Sequence, residues 1–157
     1  MKLFQIEEPE GGLIPAEGPG ASVGIDLAPG GSAVAISLGG NAEILPDGEG
    51  EKRLDPEGVF GPEGVLQATA LAAHLLALRA RAERQLARPV THAVIACPEL
   101  DAESHAAIVK AAAAADLELL ALYTRDEAVG FAKGQVSSDA AVLGAAIRAE
   151  DEAPQAA

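Results

Sequence analysis

The chain has 157 residues, which suffices for one compact domain with its own core and hardly for two. Its formal net charge of −13 argues against nucleic acid or an anionic membrane surface as the main partner and keeps a small protein soluble. Apolar residues make up 49% of the chain but aromatics only 3%, so the core is one of Val, Ile, Leu and methyl groups, with little bulk to wall a deep pocket.

Residues 1–20 are rich in Gly, Pro and Glu and are expected to form a flexible N-terminal arm. Its short apolar patch, Leu3, Phe4 and Ile6, is the candidate anchor for a partner or for the domain's own core. The arm lacks the basic start and long apolar run of a signal peptide, so the expected place is the cytoplasm. Residues 21–150 are expected to form a single domain. Ser22-Val23-Gly24-Ile25-Asp26-Leu27 ends in a Pro29-Gly30-Gly31 turn and is answered by Ala33-Val34-Ala35-Ile36-Ser37-Leu38, which predicts a hairpin. A turn at Gly39-Gly40-Asn41 and the run Ala42-Glu43-Ile44-Leu45 extend it to an antiparallel three-strand meander.

Residues 46–64 read as loop, with one weak strand near Val59-Phe60. Leu71, Leu75, Leu78, Ala82 and Leu86 then draw one apolar stripe at helical spacing. Arg79, Arg81, Arg84 and Arg88 lie opposite as a solvated face, and Pro89 is expected to stop the helix. Thr91-His92-Ala93-Val94-Ile95-Ala96-Cys97-Pro98 is an apolar run of strand length. An Ala-biased helix over 101–115 follows, with Asp101 as N-cap and Glu103 in its first turn. A strand over 117–123 and a short helix over 127–133, closed by Gly134, complete a parallel βαβ unit. A last helix is predicted over about 138–150, with Val142, Ala145 and Ala146 as a small-residue packing face, and 151–157 as a frayed tail.

Little here has the spacing of independent chemistry. His74, His92 and His105 are scattered and match no metal-ligand pattern. The lone Cys97 excludes an internal disulfide, fits a reducing compartment, and reads as a buried strand cysteine rather than a nucleophile. No apolar stretch free of charges approaches the ~20 residues of a spanning helix.

Several segments carry a family resemblance. Val23-Gly24-Ile25-Asp26-Leu27, a small turn and Ser32-Ala33-Val34-Ala35 resemble the first phosphate loop of the seventy-kilodalton heat-shock (DnaK-type) chaperones. Asn41-Ala42-Glu43-Ile44-Leu45-Pro46-Asp47 is similar to the third strand of that family. Arg84-Gln85-Leu86-Ala87-Arg88-Pro89-Val90, then Ala93-Val94-Ile95-Ala96-Cys97-Pro98, look like its helix and strand leading to a hinge proline. Leu3-Phe4-Gln5-Ile6-Glu7-Glu8-Pro9 resembles the leader of the HscA-like subgroup, which serves iron–sulfur assembly. The final helix resembles the one that closes the family's ATPase domain after its second lobe; here it follows Gly134 almost directly.

The resemblance implies an α/β fold, the ribonuclease-H-like half of the actin-type ATPase fold, with lobe two deleted and its closing helix kept. It further implies that no ATP hydrolysis remains, since phosphoryl transfer is positioning and charge neutralisation by loops from both lobes. Asp26, Gly30, Gly31 and Ser32 would be a vestigial phosphate loop, weakened by Pro29, which offers no N–H. Lys52 has no context matching the family's catalytic lysine. The expected function is therefore a pseudo-ATPase protein-interaction module: not an enzyme, without a resident cofactor, binding a protein partner or a second copy of itself, and not nucleic acid or the membrane interior. The alternative is a weak ATP/Mg binder or sensor using the vestigial loop, completed by dimerisation or by another chain.

Overall fold

Side-chain alternation along the strands separates two unlike faces, and the helices sort accordingly. The computed structural model describes residues 20–133 and 138–154. The elements are β1 (Ala21–Asp26), β2 (Ala33–Leu38), β3 (Asn41–Ile44), α1 (Ala68–Leu86), β4 (Val90–Cys97), α2 (Ala102–Ala114), β5 (Glu118–Thr124), α3 (Arg125–Phe131) and α4 (Ala140–Glu152). They build one five-stranded mixed sheet in the order β3-β2-β1-β4-β5. β1–β2 and β2–β3 are antiparallel, whereas β1–β4 and β4–β5 are parallel. The expected meander and βαβ unit are thus both present in an α/β sandwich.

One face of the sheet carries branched side chains. Val23, Ile25, Val34, Ile36 and Ile95 pack there against Leu71, Leu75 and Leu78 of α1 and Ile108 of α2. The α1 stripe is buried as its spacing predicts, and each such leucine contributes about 1.5–3 kcal/mol by leaving water. The helix ends at Leu86, ahead of Pro89, because Ala87 turns left-handed at φ 55°. The arginine face departs from expectation at Arg81, which is buried, donates to the Glu51 carbonyl at 3.2 Å and pairs with Asp47 at 3.9 Å. Loop 46–54 covers that side of the helix, so a residue expected in water is an anchor for the loop. Arg79 bridges helices, donating to the Ala115 carbonyl at 2.9 Å, while Arg84 and Arg88 are exposed.

The other face is nearly bare of bulk. Ala33 and Ala35 of β2 and Val94 and Ala96 of β4 meet Ala141, Val142, Ala145, Ala146 and Ala149 of α4. Between them lies Gly24, where an added Cβ would fall 2.1 Å from the backbone nitrogen of Ala146. The expected packing helix thus lies with its backbone directly on β1. Gly144 makes a second close approach, to α3: a Cβ there would lie 1.7 Å from the carbonyl oxygen of Ala128. Small residues let the main chains touch, and a helix apolar on most of its circumference is buried accordingly.

Polar contacts lock the ends of this layer. Glu150 accepts hydrogen bonds from Ser37 Oγ at 2.8 Å and from the Gly39 and Gly40 amides at 2.6 and 3.0 Å, clamping the β2–β3 turn. Those bonds, the Gly40 amide first, hold its carboxyl below the usual glutamate range. Glu152 accepts from the Tyr123 hydroxyl at 2.9 Å and pairs with Arg148 at 2.9 Å. Consequently Asp151 and Glu152 belong to the helix, a correction to the frayed tail expected from residue 151. α3 likewise starts earlier than expected, at Arg125, because Thr124 and Glu127 form a reciprocal capping box. The Val59-Phe60 segment makes only an isolated bridge, Phe60 to Leu66. Leu3, Phe4, Ile6 and Gly134 lie outside the described residues. No helix among the described residues is long and apolar enough to cross a membrane.

Two helical glycines give a test of opposite signs. Gly130 in α3 has open space where its Cβ would be, so Gly130→Ala should stabilise the fold by about 0.5–1 kcal/mol through helix propensity. Gly144→Ala should destabilise it by about 3 kcal/mol, because the methyl meets backbone that cannot rotate away. Urea denaturation of the two variants would read both; equal effects would contradict the close approach.

Candidate functional site

Parallel strands end together. Asp26 at the end of β1 pairs in register with Ala96, and Cys97 at the end of β4 with Thr124 of β5. β1 runs on into β2 on one side and lies beside β4 on the other, so the connections diverge at this edge; in open α/β sheets such carboxyl-end crevices are where ligands bind. The residues singled out in the sequence, Asp26, Gly30, Gly31 and Ser32, all lie here.

Asp26 is fully buried, and its carboxylate is occupied from within the chain. Arg125 grips it with two bonds, Nε to Oδ1 at 2.7 Å and a second guanidinium nitrogen to Oδ2 at 3.1 Å. Arg53 adds a third at 3.0 Å to Oδ2 and also donates to the Gly31 carbonyl at 3.1 Å. The same guanidinium reaches the Ser138 carbonyl at 3.0 Å and Asp139 at 3.1 Å, at the threshold of α4. Lys52 stands 3.8 Å from Asp139 and is well exposed. The hydrogen bond to Asp26 raises the pKa of Arg125 further above its ordinary value.

The loop itself is turned inward. The Leu27 amide bonds the Ala96 carbonyl, the Gly31 amide the Ala28 carbonyl and the Ser32 amide the Leu54 carbonyl, at 2.8, 3.0 and 2.8 Å. Pro29 has no N–H to offer. Gly31 takes φ 144° beneath Arg53, whose Cβ would lie 3.1 Å from an added methyl. Gly30 is exposed, and the buried Ser32 hydroxyl has no hydrogen-bond partner among the described residues. A phosphate cradle works by presenting several free amides, and three of these are satisfied by backbone.

Beside the loop a cleft of about 240 Å³ opens between the Pro62–Gly64 turn and the start of α2. The buried Leu66 and Cys97 and the half-buried Phe60 line it, with the exposed Pro98, Glu63, Glu99, Asp101 and Glu103 around its rim. Asp101 caps α2 as expected, accepting from the Ser104 amide at 2.8 Å. Cys97 is fully buried and donates to the Glu99 carbonyl at 3.1 Å. Burial first, then the charges of Asp101 and Asp26, push its thiol up to about 11. The histidines stand apart: His74 is buried in α1, its pKa lowered chiefly by burial, His92 pairs with Glu118 at 3.5 Å, and His105 is exposed on α2. Among the described residues no cluster of three His, Cys, Asp or Glu could hold a metal ion.

No protein-family model matches the chain, and no curated protein matches it. The site must therefore be read from its own geometry. Sequence reasoning found Asp26 but missed Arg53 and Arg125. A signal for Arg125 existed: a cation in the first turn of a helix opposes the macrodipole, and so needs a partner elsewhere. Arg53, in a loop, carried none.

Two outcomes check this geometry. Arg125→Met, which strands a buried carboxylate on one remaining donor, should cost about 3 kcal/mol, and adding Asp26→Asn should restore part of it; urea denaturation gives both values. Fully additive losses would contradict the coupling. The Cys97 thiol should resist alkylation by iodoacetamide at pH 8 in the folded protein and react at the rate of a free thiol in about 6 M guanidinium chloride.

Proposed function

We propose that this chain is a protein-interaction module on a degenerate ATPase lobe, and that it does not turn over nucleotide. The meander followed by two parallel strands, in the order β3-β2-β1-β4-β5, supports assigning it to the ribonuclease-H-like half of the actin-type ATPase fold. It also fits the resemblance to the DnaK-type and HscA-like chaperones. The short link between α3, ending at Phe131, and α4, starting at Ala140, leaves no room for a second lobe at that point.

One observation carries the reading. The carboxylate best placed to orient a metal-bound water, Asp26, is instead saturated by Arg53 and Arg125. A catalytic metal site needs a carboxylate free to meet the cation, and two guanidiniums already hold this one. Phosphoryl transfer further requires charge placed around the γ-phosphate from two sides, and this chain supports one wall. What remains is a rigid surface at the carboxyl ends of the strands, suited to docking another protein. An accessory role in a larger complex, or in iron–sulfur assembly as the HscA-like leader suggests, is consistent with it; a symmetric homodimer is the smaller version of the same idea.

Calorimetry with ATP and magnesium tests the proposal directly. The expected result is no binding up to about 1 mM nucleotide. Magnesium-dependent affinity tighter than about 100 µM would instead favour the nucleotide-sensing alternative. Affinity capture from the native host, with Leu3→Ser/Phe4→Ser as the comparison, then reports whether docking uses the N-terminal patch.

A further inference from the structure

Beyond a general docking role, the cleft beside the phosphate loop selects a chemistry. Its volume of about 240 Å³ is below the range of small-molecule pockets and suits one or two side chains. Its apolar lining is the buried Leu66 and the half-buried Phe60, with the exposed Pro98 beside them. Its rim holds four carboxylates, and Glu63, Glu99 and Glu103 are exposed and take part in no ion pair among the described residues. Asp101 adds a fourth charge while its bond to the Ser104 amide keeps it fixed.

We infer that this cleft receives a basic, amphipathic segment of a different protein, with an aliphatic side chain seated on Phe60 and Leu66 and flanking arginines or lysines against Glu63, Glu99 and Glu103. This rests on the docking reading above and names the partner's chemistry. Charge complementarity makes the choice. An anion would meet four carboxylates before it reached the amides of α2. The chain's own N-terminal arm carries Glu7, Glu8, Glu10 and Glu17 against Lys2, a charge of the same sign as the rim and so a poor complement to it. A second copy brings a further net charge of −13. A basic segment gains from each carboxylate without displacing an existing ion pair, because none has to be broken.

The probe is the peptide acetyl-Arg-Leu-Arg-Leu-amide, titrated into the whole ¹⁵N-labelled chain at low salt. Amide shifts should concentrate at Val65, Leu66, Glu99 and Glu103. Affinity should fall about threefold or more for each of Glu63→Gln and Glu99→Gln, and should weaken steeply between about 20 and about 500 mM salt. Both glutamates are exposed, so an unchanged thermal midpoint will show that the variants fold. The citrulline analogue of the peptide, equal in shape and uncharged, should bind at least about tenfold more weakly. Equal binding of that analogue, no shifts at millimolar peptide, or shifts confined to another surface would each overturn the assignment. Calcium chloride alone perturbing the same amides while the peptide does not would also overturn it, in favour of a cation site. Nucleotide binding in the preceding calorimetry would remove the docking reading and leave the peptide result to stand or fall by itself.

Discussion

Backbone touches backbone where α4 crosses β1. A methyl group at position 24 would sit 2.1 Å from the Ala146 nitrogen, so the register of the whole upper layer depends on there being none. The rest follows from that contact. The neighbouring strand positions, Ala33, Ala35 and Ala96, must be small for the helix to lie flat, and α4 must be small in return along Ala141, Ala145 and Ala149. Dispersion between main chains then replaces the bulky side chains that an aromatic content of 3% cannot supply. The alanine-rich composition is therefore a packing device on one face, while the opposite face relies on Val, Ile and Leu.

A buried charge ties the two faces together at one end. Asp26 belongs to β1, Arg125 opens α3, and Arg53 comes from the loop between β3 and α1 and extends to Asp139 before α4. Three segments distant in sequence thus meet at one carboxylate, and Arg53 links a fourth through Asp139. Such a cluster is weak evidence of stability in itself, because desolvation offsets much of the attraction. Its consequence is specificity: were the Arg53 loop or the start of α3 to shift, a buried carboxylate would be left short of donors. The open carboxylate that nucleotide chemistry needs is the group this cluster consumes, while the neighbouring loop amides are taken by backbone carbonyls.

The strands and helices were legible because local pattern and tertiary environment agree. Short apolar runs separated by Pro/Gly turns gave the meander, the Leu71-Leu75-Leu78 stripe gave α1, and the small residues Val142, Ala145 and Ala146 correctly announced a closely packed helix. Element ends were less legible, since they depend on caps: the Thr124–Glu127 box moved the start of α3, and Glu152 extended α4 by bonding Tyr123. Arg81 was misplaced because its helical face is polar by pattern yet covered by a loop whose path no periodicity encodes. The same reason hid Arg53. Side chains that meet across 27 and 99 residues, as Arg53 and Arg125 do with Asp26, leave no trace in spacing.

These separate features bear on how a docking surface could work here. Affinity from a small cleft is limited by the cost of ordering its walls, and walls already ordered escape that cost. The Asp26 cluster and the inward-turned loop fix the wall at Pro29; the N-cap at Asp101 fixes the start of α2. On the third side Phe60 bridges Leu66, and the Gly61 amide bonds the Val65 carbonyl at 2.8 Å, closing the turn that carries Glu63. Glu63 itself sits in the left-handed region at φ 57°, a conformation a non-glycine residue holds only when its surroundings impose it. Ordered walls with exposed carboxylates at their rim suit a partner recognised by charge first and shape second. The Asp26 cluster and the cleft share one connection, the loop from Leu27 to Ser32: Arg53 holds its Gly31 carbonyl, and its Pro29 lines the cleft.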